Sequence, residues 1–536
     1  MLVGIENTGG MQGRSVVDRE LLDSAALCAH LVPEGSVHAF LADHRRVLFP
    51  DDMFADLFPT KRGRPSVPAD VIATTMVLQA LEGLSDRQAV YQLETNIAWK
   101  AAAGLALTDE AFHHTVLVLW RNKLRTSETP QRIFDAVRAV VTETGVLAGK
   151  TRRALDSTVL DDAVARQDTV TMITSQIRRV RRLIPELAGV WVREHNLERG
   201  RPLCDWEDQA DRDRLVSELV DDANELVWAC EDLVEAGLEL SEKQGDAVAL
   251  LALVAGQDVE PGDRAGSWRI TQGTAADRVI STVDPEARHA HKTRRAYRDG
   301  FKAHVAADPD TGLVTKCDVG PGNVGDTDAA PGLLDDEPDG TVVLGDTGYS
   351  SGEFRDHLED RAMGAVIKPQ PVRPAVPGGF TIDDFTVDED AATVTCPEGV
   401  TVKLTTKRRA RFAKHCTGCP VRSQCTKSKA GRTIVLHPHD RLLRAARVFA
   451  ATGEFDDSYR KHRPMIERTI AWLVKDNHRR CRYRGIERNR LGWSHRCAAV
   501  NLKRLINLGL VRDTTLGWQI RAAAAVPHGR SGVAAA

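Results

Sequence analysis

The chain has 536 residues, 42% of them apolar and 27% charged, with a net charge of −3. That balance excludes a fibrous, low-complexity or disordered polymer, and the length allows two to four domains with their own cores. Ten cysteines in so long a chain exclude a small disulfide scaffold and read as reduced thiols or metal ligands. The first residues hold no long apolar segment, and the longest apolar run, AVALLALVAG (247–256), is too short to span a bilayer. The expectation is a cytoplasmic protein.

Charge is unevenly distributed. Residues 401–520 hold 28 Lys/Arg against 8 Asp/Glu, whereas residues 205–264 hold 4 against 18. A basic carboxy-terminal third predicts a polyanionic partner, nucleic acid first. The alternative is a solvated surface.

Residues 16–147 read as helical. PADVIATTMVLQALEG (68–83) has helical apolar spacing behind a proline, and Ser85 with Gln88 forms a capping-box pattern. Before them, Arg62-Gly63-Arg64-Pro65 reads either as a basic segment for a minor groove or as a plain loop. TRRALDSTVLDD (151–162) is a short β-like run containing Asp156. A helical, acidic stretch follows from 170 to about 255. YRDGFKAHVAADPDTGLVTKCDVG (297–320) predicts a hairpin about its DPDTG turn. TVVLGD (341–346) is the next strand, SGEFRDHLEDRAMG a helix and AVIKPQ another strand, an alternation that predicts an α/β layer. Residues 379–406 read as a small β-rich insert. The chain is then helical from about 440 to Leu510, and a small-residue tail from 513 reads as disordered.

Asp156 and Asp346 each sit in or at the end of an apolar strand, where an unpartnered charge is costly to desolvate. Asp346 also reads as an N-cap, and Asp156 as a partner of Arg152 or Arg153. A third acid, Glu467, stands among cations in SYRKHRPMIERTIAWLVKDNHRR (458–480). Tyr459, Arg463 and Glu467 follow at i, i+4 and i+8 on one side of a helix, with Lys475 further round. Pairing with Arg463 alone would also account for Glu467. Three converging carboxylates suit divalent cations such as Mg2+ or Mn2+, two of which can drive an in-line phosphoryl transfer.

An Asp in a first strand, an Asp in LGDTGY and a Glu in a Y-x3-R-x3-E helix resemble the DDE transposases of bacterial insertion sequences. YRDGFKAHVAAD (297–308), the segment from Arg62 to Leu105 and the helices after Glu467 resemble them too. The group most similar is the insertion-sequence family numbered eleven eighty-two, and the resemblance covers roughly residues 35–510. It implies an α/β RNase H-like core with a mixed sheet, an all-α amino-terminal domain, a helical insertion and a small Cys-rich β insertion. The expected boundaries are 1–150 for the helical DNA-binding domain, 151–170 with 281–372 for the first part of the core, and 171–280 for the acidic insertion. The Cys-rich insertion follows at 373–440, the last core helices at 441–512 and the tail at 513–536.

The resemblance implies that Asp156, Asp346 and Glu467 bind metal, accompanied by Tyr459, Arg463 and Lys475. The Tyr-to-Arg and Glu-to-Lys intervals are each one residue longer than the family's common spacing. It also implies terminal inverted repeats and target DNA as partners, and strand cleavage and transfer as the activity. A homodimer or larger assembly on DNA is expected, at the nucleoid, with no membrane and no small-molecule substrate. A non-catalytic DNA-binding regulator and a nuclease without strand transfer are the alternatives. Expected DNA contacts are Arg62, Arg64, Lys292, Lys302, Lys407, Arg408, Arg409, Arg460 and Lys461. His304 reads as a DNA contact or a packed strand residue, and Trp472 as core. Independently of the resemblance, Cys396, Cys416, Cys419 and Cys425 form a C-x19-C-x2-C-x5-C pattern suited to a structural Zn2+, with scattered reduced thiols as the alternative.

Overall fold

The computed structural model describes residues 11–15, 22–60, 63–198, 200–293 and 296–521, with backbone only over 291–293 and 296–297. Arg62, the side chain of Lys292 and the segment 522–536 lie outside the described residues.

The amino-terminal α-helices of seven or more residues are α1 (Val37–Leu48), α2 (Ala69–Glu82), α3 (Asp86–Thr95), α4 (Ile97–Ala103), α5 (Thr115–Arg125) and α6 (Arg132–Glu143). The expected capping box opens α3, with Ser85 and Gln88 each satisfying the other's backbone N–H. Almost every residue of α2 is buried. Its C-cap Gly83 has φ +69°, and a Cβ there would meet the Asp476 carbonyl at 2.2 Å, so both conformation and space require glycine.

The sheet begins with β1 (Arg152–Asp161) and continues after the acidic insertion with β2 (Arg288–Thr293), β3 (Ala296–Ala307), β4 (Val314–Pro321), β5 (Val342–Gly345) and β6 (Gly364–Ile367). β3 is the long central strand. It pairs antiparallel with β1 on one side, and with β4 and β2 at successive stretches of the other. β5 then pairs parallel with β1, and β6 parallel with β5. The result is a mixed sheet with an antiparallel half and a parallel half.

The insertion carries α7 (Thr169–Leu183), α8 (Gln209–Glu235) and α9 (Glu242–Gly256) around a core of its own, with a small hairpin at 259–270 that the sequence reading omits. Helix α10 (Asp326–Leu333) packs on β3, β4 and β1, and α11 (Gly352–Asp360) packs on β6. The Cys-rich segment forms a three-stranded sheet and a two-stranded hairpin packed on Phe385, Val394 and Phe412. The chain closes with α12 (Asp440–Ala450), α13 (Gly453–Leu473) and α14 (Ile486–Asn507).

The amino-terminal helices share one continuous core with the sheet through α14. Arg496 of α14 donates to the carbonyls of Ala80 and Leu81 in α2 and of Trp472 and Leu473 in α13, tying three helices together. The tail expected to be disordered from 513 instead forms a hairpin, Leu510–Asp513 with Gly517–Ile520. Trp518 explains it: its ring packs against Phe40 and His44 of α1, and its backbone N–H donates to Glu143.

Candidate active site

Asp156 and Asp346 are brought level by strand register. β1 and β5 run parallel with Ala154 opposite Leu344. Two residues further on, a full β repeat, the register sets Asp156 beside Asp346 on the same face. Asp156 accepts from the Ser157 N–H at 2.9 Å, and Asp346 from the Gly348 N–H at 2.8 Å. Asp346 is thus the N-cap of the following turn, as one reading of that residue expected.

Glu467 comes from α13, which lies against β1, β5 and β6. One arginine on that helix faces all three acids. Arg463 Nη2 is 3.1 Å from Asp156 Oδ1 and 3.7 Å from Asp346 Oδ2, and its Nε is 3.9 Å from Glu467 Oε1. Its Nη1 donates to the Leu155 carbonyl at 2.7 Å, fixing the guanidinium to the strand that carries Asp156. Exposure rises across the group, from 14% for the Asp156 side chain to 46% for Asp346 and 67% for Glu467. The site is therefore a bowl with a dry floor and a wet rim. Burial pushes the Asp156 carboxyl above its ordinary range, and Arg463 opposes that shift. For Arg463 itself burial works against the charge, but Asp156 and Asp346 outweigh it and hold the guanidinium firmly cationic. Arg153, a candidate partner of Asp156 in the sequence, binds Glu337 at 2.7 Å instead.

The companions divide. Tyr459 is half-buried and stacks on Phe455, with ring centroids 5.4 Å apart. Lys475 lies exposed beyond the end of α13. Lys302 points at the site, not outward: its ammonium donates to the Val324 carbonyl and lies 3.3 Å from Asp326. His304 is fully packed, and burial lowers it to about 4. Arg408, at φ +51°, is held by Glu389 and the His437 carbonyl, whereas Arg64, Lys407, Arg409, Arg460 and Lys461 are exposed. Trp472, expected in the core, is 42% exposed with the Arg504 guanidinium 5.3 Å from its ring, because its side of α13 faces outward.

Sequence reasoning missed Asp326, a fourth carboxylate beside the pair. Its only signal was an acid opening a helix in GDTDAAPG. Among the described residues, no three carboxylate, imidazole or thiol groups are placed closely enough to hold a metal ion as they stand. The four clustered cysteines are free thiols lining one cavity of about 280 Å3.

Residues 395–506 match the model described as a transposase DDE domain, and residues 30–123 match a transposase domain of the DUF772 type. Glu467 lies inside the first match; Asp156 and Asp346 lie outside both. Among particular proteins, the chain is 29% identical over 152 residues to a transposase for insertion sequence element IS1106 of Neisseria meningitidis serogroup B. That alignment covers 28% of this chain and 49% of the relative, so the chain spans about half the relative's length. No solved structure matches. The matches agree with the sequence motifs in supporting a bacterial insertion-sequence DDE transposase. No helix among the described residues is long and apolar enough to cross a membrane.

Proposed function

We propose that this chain is the transposase of a bacterial insertion sequence, binding the element's terminal inverted repeats and carrying out strand cleavage and strand transfer. The observation that carries the reading is the convergence of Asp156, Asp346 and Glu467, from three distant segments, on Arg463. The strand order supports an RNase H-like core, with three antiparallel strands followed by two parallel ones across β4, β3, β1, β5 and β6.

The carboxylates fit a divalent cation by donor chemistry: hard oxygens in a pocket already negative enough to hold a cationic arginine. Asp156, Asp346 and Glu467 would hold Mg2+ or Mn2+, which when bound would activate a water or 3′-hydroxyl and neutralise the leaving oxygen. The chain's own part is positioning. Asp156 is fixed by burial and by the Ser157 N–H, Asp346 by its own turn, and Arg463 by the Leu155 carbonyl. Glu467 stands at the rim on a helix that also carries the exposed cations Arg460, Lys461 and Arg468, along which phosphodiester backbone would lie. The shared cavity of Cys396, Cys416, Cys419 and Cys425 suits Zn2+ by the same donor argument, as a brace for an insert with a small core.

The test is cleavage of DNA carrying the sequences that flank the gene. The purified chain is expected to bind that DNA and nick it only with Mg2+ or Mn2+. Asp156→Asn, Asp346→Asn and Glu467→Gln should each bind and not nick. Binding without nicking by the wild type would favour the regulator instead.

A further inference from the structure

Beside the triad, α10 begins with Asp326, and this carboxylate meets both the strand that carries Asp156 and the turn that follows Asp346. Its Oδ1 accepts from Ser157 Oγ at 2.7 Å, the residue next to Asp156 on β1. The same oxygen lies 3.3 Å from Lys302 Nζ on β3. Lys302 and His304 share a face of β3, and His304 is the register partner of Ser157, so all three converge on one spot. On its other side Asp326 abuts the Asp346 turn. A Cβ on Gly348 would lie 2.6 Å from Asp326 Oδ2 and 3.0 Å from Asp346 Oδ1.

Two buried polar atoms in this region have no hydrogen-bond partner among the described residues. Tyr349 Oη is fully buried. His304 Nδ1 stands 4.0 Å from Asp326 Oδ1. Buried polar groups left open beside Asp326 mark a place where something polar is still to be accommodated.

We propose that Asp326 is a positioning residue of this site, clamping the Asp346 turn to the Asp156 strand through Ser157, so that the two carboxylates stay level for a divalent cation. Asp326 acts through its neighbours: a hydrogen bond from Ser157 on one side and close packing against Gly348 on the other, with Lys302 balancing its charge. This rests on the cation-dependent reading above. Groups that orient metal ligands from behind commonly change affinity or activity 10- to 100-fold when removed.

The test is a double-mutant cycle on the full chain, read by Mn2+ affinity from electron paramagnetic resonance and by nicking of the flanking DNA. Ser157→Ala and Asp326→Ala are each expected to weaken Mn2+ binding about tenfold while leaving DNA binding unchanged. The double variant should be no weaker than Asp326→Ala alone, because both break one link. Asp326→Asn keeps an acceptor for Ser157 and should fall between Asp326→Ala and wild type; it and Ser157→Ala decide the matter if Asp326→Ala does not fold. Wild-type Mn2+ affinity in both of those variants, or a double variant equal to the product of the singles, overturns the clamp. If wild type binds Mn2+ through Asp346 and the cycle behaves as stated, but no DNA is nicked, the clamp stands and the transposase reading falls.

Discussion

Arg463 and Asp156 meet 3.1 Å apart, a buried pair formed between the last long helices and the first strand of the sheet. Everything else at the site follows from where that guanidinium is held. It is bonded to the carbonyl beside Asp156, and from there it reaches Asp346 and, more loosely, Glu467.

Removing Arg463 should therefore cost both stability and chemistry. Breaking a buried ion pair from one side leaves an uncompensated charge, typically about 3–5 kcal/mol. Arg463→Ala is expected to lose roughly that in urea unfolding and to lose nicking altogether. Arg463→Lys should recover part of the stability and little of the activity, since an ammonium cannot present the planar fork that faces several carboxylates. Near-wild-type nicking by Arg463→Lys would contradict this.

Gly348 has an ordinary φ, so its requirement is spatial. Alanine there would drive a methyl between Asp326 and Asp346. Crowding of this kind costs about 1–3 kcal/mol. Gly348→Ala is expected to fold with a lowered melting temperature and to nick at least tenfold more slowly.

Acid should destabilise the fold through buried imidazoles. Burial is the main cause holding His478 and His495 down to about 3, aided by Arg496 and Arg482 at 478 and by Arg121 at 495; His304 is held to about 4. Below the ordinary value of 6.5 the unfolded chain takes up protons that the folded chain refuses, so stability falls as pH drops from 6.5 toward 3. Asp162, raised by burial to about 6, opposes this between 3.8 and 6, because there the folded chain keeps a proton that the unfolded chain has lost. Asp51, Asp135, Asp156 and Asp284, also raised by burial, act in the same sense as Asp162, so the fall due to the imidazoles is read between pH 7 and 5, above the ordinary carboxylate value. Urea midpoints at pH 7 and pH 5 should show it, and His495→Gln should make the dependence shallower.

The cysteine cavity makes a separate prediction. The purified chain should carry about one Zn2+ released by a thiol reagent. Cys416→Ser with Cys425→Ser should carry almost none and should melt the insert without unfolding the main core, since the two have separate clusters. Full zinc content in that variant would refute the site.

Much of this site was legible because strand ends and helix faces have short periods. Asp156 and Asp346 stood out as carboxylates in apolar strands, and Glu467 with Arg463 as an i, i+4 pair. What was hidden depends on contacts between distant segments. Asp326 looks like an ordinary helix-opening acid until β1 and β3 are in register. Trp472 has the composition of a core residue, and only the packing of α13 shows that it lies outside. The hairpin at 510–520 was masked by the small residues beyond it, and the shared core of the amino-terminal helices became visible only when α14 was placed between them and the sheet.

The most direct measurement is excision of a marked element carrying the gene's own flanking DNA, supplied with wild type or Asp346→Asn. Excision by wild type and none by the variant, at equal protein levels, is the expected result. Equal excision by both would show that Asp346 takes no part in the chemistry and that the site built around Arg463 is not the active site.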